Sequence, residues 1–378
     1  MKIVFTGGGT GGHFYPIIAI AEEINTVVRE RKLVNVRLYF FSNAPYDERA
    51  LFENNIEFVR IRSGKWRRYF SLLNFFDLFK ISWGIAKSLI QLYLIYPDVV
   101  FSKGGYVSLP TVLAARVLGI PIVIHESDSR PGRTNLWAGK FAARIALSYA
   151  AAASAFEPKR QAVIAVTGNP IRNLLHYPLT EGAREFLGLE PNLPVIFVTG
   201  GSQGAAAVNE VVVDALPELV KKYNVIHQTG TANLDAVGKR VRIVLEKNEH
   251  ATRYKLFDYL DSSALRMTAG AATLAVSRAG SIIFELAQWG IPAILIPIPE
   301  TVSHDQRSNA FTYARTGGAI VIEQNNLLPT ILVSEIDRLI SNPKLLGAMR
   351  VAAKRFAKPQ AARLIAGELI NIALSHEI

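Results

Sequence analysis

The 378 residues contain no cysteine. That excludes disulfide scaffolds, thiolate metal sites and cysteine nucleophiles, and it fits a reducing compartment. Charged residues are also sparse, at 19% against 50% hydrophobic, so a globular chain with ample core is implied and disorder is not. Acidic residues are outnumbered 31 to 42 by basic ones, which leaves a formal net charge of +11. A surplus of that size calls for nucleic acid, an anionic membrane surface or phosphate-bearing substrates as partner. A basic recognition helix, an RNA-binding signature and a zinc finger are all missing, so nucleic acid is the weakest of the three. The apolar run after Lys2 is too short for a secretory signal and ends in glycines.

The chain is organised around Gly7-Gly8-Gly9-Thr10-Gly11-Gly12-His13. Lys2 to Thr6 before it reads as a buried strand, and Tyr15 to Glu30 after it as a helix with Ile17, Ile18, Ala21, Ile24 and Val28 on one side. Glycines let the backbone turn sharply and approach a ligand, and the helix that follows points its N–H groups and positive dipole end at the loop, where a diphosphate settles. A merely tight turn is one alternative. A dinucleotide fingerprint on Gly7, Gly9 and Gly12 is another, but the second strand, Val36 to Phe41, runs into Ser42-Asn43-Ala44 with no acid to hold a ribose. His13, in the first turn, should stay neutral against the dipole and able to accept a proton, unless it only caps its helix.

At this length two domains of similar size are expected. In the first half, strands at Glu57 to Ile61, Asp98 to Ser102, Pro121 to His125, Arg144 to Ser148 and Ala162 to Val166 alternate with helices, which implies a parallel, doubly wound sheet. Its ligands should lie beyond the carboxyl ends of the strands. Arg60, Arg62, Lys65, Arg67 and Arg68 cluster around Trp66, and a long helical segment with a broad apolar face follows. Asp77, Lys80 and Lys87 make it a poor transmembrane span. It suits burial against the sheet, interfacial contact with anionic lipid, or one at each end. Gly104 and Gly105 form a second glycine turn, and His125-Glu126-Ser127-Asp128 ends a strand where a site is expected, or where a cap would serve.

The domain boundary is expected near Gly168, giving domains over 1–167 and 168–358 and a terminal helix in 359–378 that packs back on the first domain. The second half restarts with a strand from Pro194 to Thr199 and a third glycine turn, Gly200 to Gly204, whose Ser202 can donate to a phosphate oxygen. Strands at Val225 to Gln228, Tyr254 to Tyr259, Ala272 to Val276, Ala293 to Ile296 and Ala319 to Ile322 follow. Glu285, one turn into a helix after Ser277 to Ser281, suits a ribose or simply stabilises the dipole. His304 to Asn309 crowds amides and hydroxyls at a helix start, where a sugar would fit.

With Gly8 to His13 (GGTGGH), Gly104 to Ser108 (GGYVS), Gly168 to Arg172 (GNPIR), Gly200 to Gly204 (GGSQG), His227 to Gly230 (HQTG) and Ser277 to Gly280 (SRAG) in order, the sequence resembles a peptidoglycan glycosyltransferase family over essentially its whole length. Members of that family transfer N-acetylglucosamine from UDP to undecaprenyl-pyrophosphoryl-N-acetylmuramoyl-pentapeptide. The resemblance implies the GT-B fold, two Rossmann-like doubly wound α/β domains facing across a cleft. It implies that Thr10, Gly11 and Gly12 line the cleft and that the turns at Gly8 to Gly12 and at Gly104 and Gly105 face the acceptor diphosphate. His13 would be the base. Arg172 and Ser202, with Gln203 beside it, would meet the donor diphosphate, Leu260 the uracil by its backbone, Glu285 the ribose and Gln306 the sugar.

Two positions depart from the family pattern. Asp128 stands where asparagine is usual, and an ionised carboxylate only accepts hydrogen bonds, which opens a share of the base role to it. Asp305 stands where glutamine or histidine is usual, ahead of Gln306. The expected chemistry is an inverting transfer with no covalent intermediate and no metal or other cofactor, since no Asp-X-Asp motif appears where it would be needed. The expected partners are UDP-N-acetylglucosamine, the undecaprenyl-linked muramoyl-pentapeptide and an anionic membrane surface, not nucleic acid. The expected place is the cytoplasmic face of the bacterial plasma membrane, held peripherally. A diacylglycerol glycosyltransferase, a UDP-sugar epimerase or a non-catalytic nucleotide-binding scaffold remain the alternatives.

Overall fold

The structure, a computed structural model, describes residues 1–64, 72–201, 204–300 and 304–375, with side chains from 80 onward in the segment that begins at 72 and from 306 onward in the one that begins at 304. Lys65, Trp66, Arg67, Arg68, Ser202 and Gln203, and the side chains of Asp77, His304 and Asp305, lie outside what is described. The chain forms two compact units, Met1–Asn173 with Lys358–Ile378, and Leu174–Ala357.

The first unit holds β1 (Lys2–Thr6), β2 (Arg37–Ser42), β3 (Ile56–Arg60), β4 (Val99–Ser102), β5 (Ile122–Glu126), β6 (Arg144–Leu147) and β7 (Ile164–Val166). They lie side by side in the order β3-β2-β1-β4-β5-β6-β7, every pairing parallel. Strands sandwiched on both faces need apolar side chains on both, and the sequence supplies them as β-branched and aromatic runs. In β1, Ile3 and Phe5 join one core with Ile17, Ile18 and Ile24 of helix Gly11–Glu30 and with Ile365, Leu369 and Ile370 of helix Ala361–Leu374. Val4, between them, joins the opposite core with Val112, Ala115 and Leu92. The long helix Leu72–Ile95 turns Ser88 and Leu92 inward. It leaves Trp83, Ile90, Tyr93 and Leu94 exposed, Tyr93 and Leu94 each at 70%. No helix among the described residues is long and apolar enough to cross a membrane.

The second unit holds β8 (Val195–Thr199), β9 (Asn224–Gln228), β10 (Tyr254–Phe257), β11 (Leu274–Ser277), β12 (Ala293–Leu295) and β13 (Ala319–Val321), in the order β10-β9-β8-β11-β12-β13 and again all parallel. Ile196, Val198, Val276 and Ile294 pack there against Val212 and Leu216 of helix Ala206–Leu219 and against Leu332, Ile336 and Leu339 of helix Pro329–Ile340. In both sheets the order reverses beside the first strand, between β1 and β4 and between β8 and β11. That is the crevice where doubly wound sheets take their ligands.

One expectation needs correction. The boundary falls after Asn173, not at Gly168, because Gly168 to Arg172 is stitched into the first unit. Gly168 N donates to Leu147 O at 3.1 Å, the Arg172 guanidinium lies 4.0 Å from the centre of the Tyr15 ring, and Asn173 N donates to Glu22 Oε2 at 2.7 Å. The first helix begins at Gly11, ahead of the apolar pattern read from Tyr15 and with His13 in its first turn as expected, since Thr10 O accepts from His13 N and Phe14 N, both at 3.1 Å.

Candidate active site

In the first unit the loops after β1 and β4 flank the crevice. Gly7 takes φ +152°, and a Cβ there would come within 2.9 Å of Lys103 Cβ, so only glycine lets the two strand ends approach this closely. Thr10 is exposed at the N-cap, and the first-turn N–H groups of Gly11 and Gly12 have no acceptor within the helix. The His13 Nδ1 lies 3.3 Å from Gly8 O. A carbonyl only accepts, so that nitrogen carries the proton and Nε2 is left as the acceptor. Gly105 sits against the imidazole, and a Cβ on it would lie 3.5 Å from Cε1. Burial first, and then the ammonium of Lys103, lower the His13 pKa to about 4, with the Gly8 bond acting weakly the other way. The ring is therefore neutral, as its place at the helix end suggests, but mainly for a different reason.

Lys103 is only 2% exposed. Its Nζ donates to His125 Nδ1 at 2.7 Å, to Ser127 Oγ, and to Asn169 Oδ1 at 3.4 Å. Burial lowers its pKa to about 8, against the pull of Glu126 and Asp128. His125 is held neutral by burial and by Lys103, and its Nε2 faces Gly168 O at 3.0 Å. Glu126 ties the turn that follows: its carboxylate accepts from Asp128 N, Gly132 N and Asn135 Nδ2, each at 2.9 Å. Burial, and secondarily the Asp128 charge, raise its pKa. Of the strand-end cluster, His125 and Glu126 are thus structural, while Ser127 and Asp128 are part-exposed at the β5 end. Gly104 and Gly105, after β4, belong to the same crevice. Arg172 also belongs to this unit, over Tyr15 and close to Glu22.

In the second unit Gly201 N donates to Thr199 Oγ1 at 3.1 Å, which shapes the third glycine turn. Gln228 joins that turn to the β10 end, as its Nε2 donates to Gly201 O at 3.3 Å and its Oε1 accepts from Leu260 N at 3.2 Å. His227 beside it is internal, with its nitrogens 2.9 Å from Tyr254 Oη and 3.1 Å from Asn209 Oδ1, and burial lowers its pKa to about 3. Past β11, Arg278 donates to Ile296 O at 3.0 Å, Pro297 O at 3.2 Å and Gln324 Oε1 at 2.7 Å, which fixes three strand-end loops. Gly280 lies beside Gln306, whose Oε1 accepts from Ile298 N at 3.4 Å. Glu285 stands in the first turn of helix Ile282–Trp289. A cavity of about 500 Å³ is lined by Ile298, Arg307 and Gln324, and its Glu300 and Glu323 are both engaged with Arg307. Among the described residues no group of three or more metal-ligating side chains comes together.

Thr10, Gly11, Gly12, His13, Gly104, Gly105 and Asp128 therefore come from loops at one edge of the first sheet. Leu260, Glu285 and Gln306 come from the corresponding edge of the second, in which Gln306 meets the turn that precedes Glu285's helix. Lys103, Asn169 and Gln228 were missed as site residues. The one signal for Lys103 is a charge set between Ser102, which ends an otherwise apolar strand, and a glycine pair.

Residues 3–147 match the family model of the glycosyltransferase family 28 N-terminal domain, and residues 195–365 that of its C-terminal domain. The class is thereby defined: an enzyme, a two-domain glycosyltransferase. A curated relative from Treponema denticola, named UDP-N-acetylglucosamine–N-acetylmuramyl-(pentapeptide) pyrophosphoryl-undecaprenol N-acetylglucosamine transferase, is 36% identical over 97% of this chain and 94% of its own length. The chain belongs to the family of enzymes that carry that name. Among solved structures, MurG of Acinetobacter baumannii superposes with TM-score 0.71 at 24% identity, covering 98% of this chain and 99% of that one. The UDP-N-acetylglucosamine 2-epimerase of Neisseria meningitidis, solved with UDP-GlcNAc bound, superposes with TM-score 0.68 at 14% identity over 98% and 100%. Both likenesses speak to the GT-B fold alone.

Proposed function

We propose that the protein transfers N-acetylglucosamine from UDP-N-acetylglucosamine to the muramoyl sugar of undecaprenyl-pyrophosphoryl-N-acetylmuramoyl-pentapeptide, with inversion. The observation that carries this reading is His13, neutral at the crevice of the first sheet, with Nδ1 committed to Gly8 and Nε2 left to accept, in a chain related over its full length to transferases of that name. His13 Nε2 takes the proton of the acceptor hydroxyl, whose oxygen attacks the anomeric carbon as the bond to UDP breaks. The amides of Gly11, Gly12 and Gly105, with the Thr10 hydroxyl, serve the acceptor diphosphate, while Gly104, whose N–H donates to Ser102 Oγ at 3.2 Å, shapes the turn that faces it. Arg172, Ser202 and Gln203 serve the donor diphosphate, Glu285 its ribose and Gln306 its sugar. The N–H of Leu260 is committed to Gln228, so its carbonyl is the backbone group that meets the uracil. Asp128 accepts a hydrogen bond from the acceptor sugar and shares in orienting the hydroxyl.

The exposed face of helix Leu72–Ile95, with Trp83, Ile90, Tyr93 and Leu94 beside the exposed basic residues Arg60, Arg62 and Lys80, supports peripheral docking on an anionic lipid surface, where apolar insertion and charge attraction add. The cytoplasmic face of the plasma membrane is where the two substrates would meet. Nucleic acid has no part in this reading.

The test is incubation with radiolabelled UDP-N-acetylglucosamine and a short-chain muramoyl lipid, with and without EDTA. Label should pass to the lipid in both arms. Transfer to diacylglycerol instead, donor turnover without an acceptor, or UDP binding without turnover would each overturn the proposal in favour of a glycolipid transferase, an epimerase or a scaffold.

A further inference from the structure

One buried cation is not used by the mechanism above. Lys103 Nζ is an ammonium with three N–H bonds, and His125 Nδ1, Ser127 Oγ and Asn169 Oδ1 take one each. With its donors spent, this lysine is no ready phosphate ligand. Its position is unusual in another way. Its backbone closes the β1–β4 pairing, with Lys103 N donating to Thr6 O at 2.9 Å, and its Cβ fills the space that Gly7 leaves open. One residue therefore touches the first glycine turn through Gly7, begins the second at Gly104, and holds the β5 end through Ser127 and the β7 end through Asn169. His13, the proton acceptor, is contained by those same two turns, through Gly8 and Gly105.

We propose that Lys103 is a positioning residue for the transfer: its ammonium ties the Ser127–Asp128 segment to the two glycine turns that contain His13 and, by its charge, adds to burial in holding the imidazole neutral. The proposal rests on the reading of His13 as the base. The titratable groups around the pair are the neutral His125, on which His13 bears, and Glu126 and Asp128, which sustain the ammonium. A like charge close to an imidazole disfavours its protonation, which is the direction found for His13. The arrangement also gives Asp128 a counter-ion within the protein.

The test is an NMR titration of the histidine ring resonances in the full chain without substrates, comparing wild type with Lys103→Met and Ser127→Ala. In Lys103→Met the His13 midpoint should rise by about one pH unit, the size expected for losing a neighbouring charge, while His227 in the other unit stays put. The acid limb of kcat/KM for the muramoyl lipid should move up with it, and the Kd for UDP should not change. Ser127→Ala keeps the ammonium, so His13 should titrate as in wild type while KM for the lipid rises. An unmoved His13 midpoint in folded Lys103→Met, or an equal shift in Ser127→Ala, overturns the proposal. Should Lys103→Met not fold, the wild-type titration decides. The His13 resonance must then show a second inflection near pH 8, where Lys103 loses its proton, and its absence overturns the proposal. These readings need no turnover, so an unmoved His13 with intact transfer refutes the role of Lys103 alone, and a shifted His13 without transfer refutes the proposed function alone.

Discussion

Gln228→Leu is the sharpest probe of the donor side. The side chain is buried, and leucine, branched one carbon earlier, fills the site with an apolar group of similar bulk and removes two hydrogen bonds, to Gly201 O and from Leu260 N. Each neutral bond is worth about 1 kcal/mol net, so the two together hold the third glycine turn against the β10 end with about 2 kcal/mol. If the nucleotide requires both loops in place, ordering them on binding must supply that amount. The Kd for UDP then weakens by at most about 30-fold, at 1.4 kcal/mol per decade. Gln228→Glu keeps an acceptor for Leu260 N but loses the donor to Gly201 O, and should fall between wild type and Gln228→Leu. Calorimetric titration with UDP measures both variants, and KM for the lipid acceptor serves as the control. An unchanged Kd in folded Gln228→Leu would refute the reasoning, as would a defect confined to acceptor KM.

His13→Ala should lower turnover by roughly a hundred- to ten-thousand-fold, the range for losing a general base, with UDP affinity intact by calorimetry. With His13 held at about 4, kcat/KM should stay level from pH 7 down to about 5, whereas an ordinary imidazole would halve it near 6.5. Stability should show acid sensitivity of a definite sign. His13, His125 and His227 are all depressed below their unfolded value of 6.5, so the unfolded chain binds more protons, and stability present above 6.5 is lost as pH falls toward 4. A urea midpoint equal at pH 7.5 and pH 5 would contradict this. Leu369→Ala, at a fully buried position in the core under the first sheet, should cost about 2–5 kcal/mol in urea unfolding followed by tryptophan fluorescence.

The strands were legible because parallel strands buried on both faces are written as short apolar runs between glycines, prolines and polar turns. All thirteen strands among the described residues lie within two residues of where those runs begin or end. The start of the first helix was less legible, because Gly11 and Gly12 are poor helix formers and a hydrogen bond to the Thr10 carbonyl, not propensity, sets that turn. The boundary was misplaced because Gly168-Asn169-Pro170 has the composition of a linker, whereas contacts to Leu147, Tyr15 and Glu22 bind it to the first unit. On the site, the glycine turns and His13 could be read locally. Lys103 could not, since a lysine next to two glycines reads as solvated until β1, β4 and β5 are brought together around it. Gln228 was hidden in the same way, by partners 27 and 32 residues away.

The chain departs from its first unit after Asn173 and re-enters at Lys358, so the sheet that opens the sequence is finished by its last helix. On a ribosome, the part of helix Gly11–Glu30 that helix Ala361–Leu374 covers must wait while the intervening 184 residues emerge and close on themselves. The portion encoded in the middle can therefore mature before the portion encoded first. A nascent or trimmed chain that stops short of Ala361 leaves the amino-terminal core open where Ile365, Leu369 and Ile370 would close it.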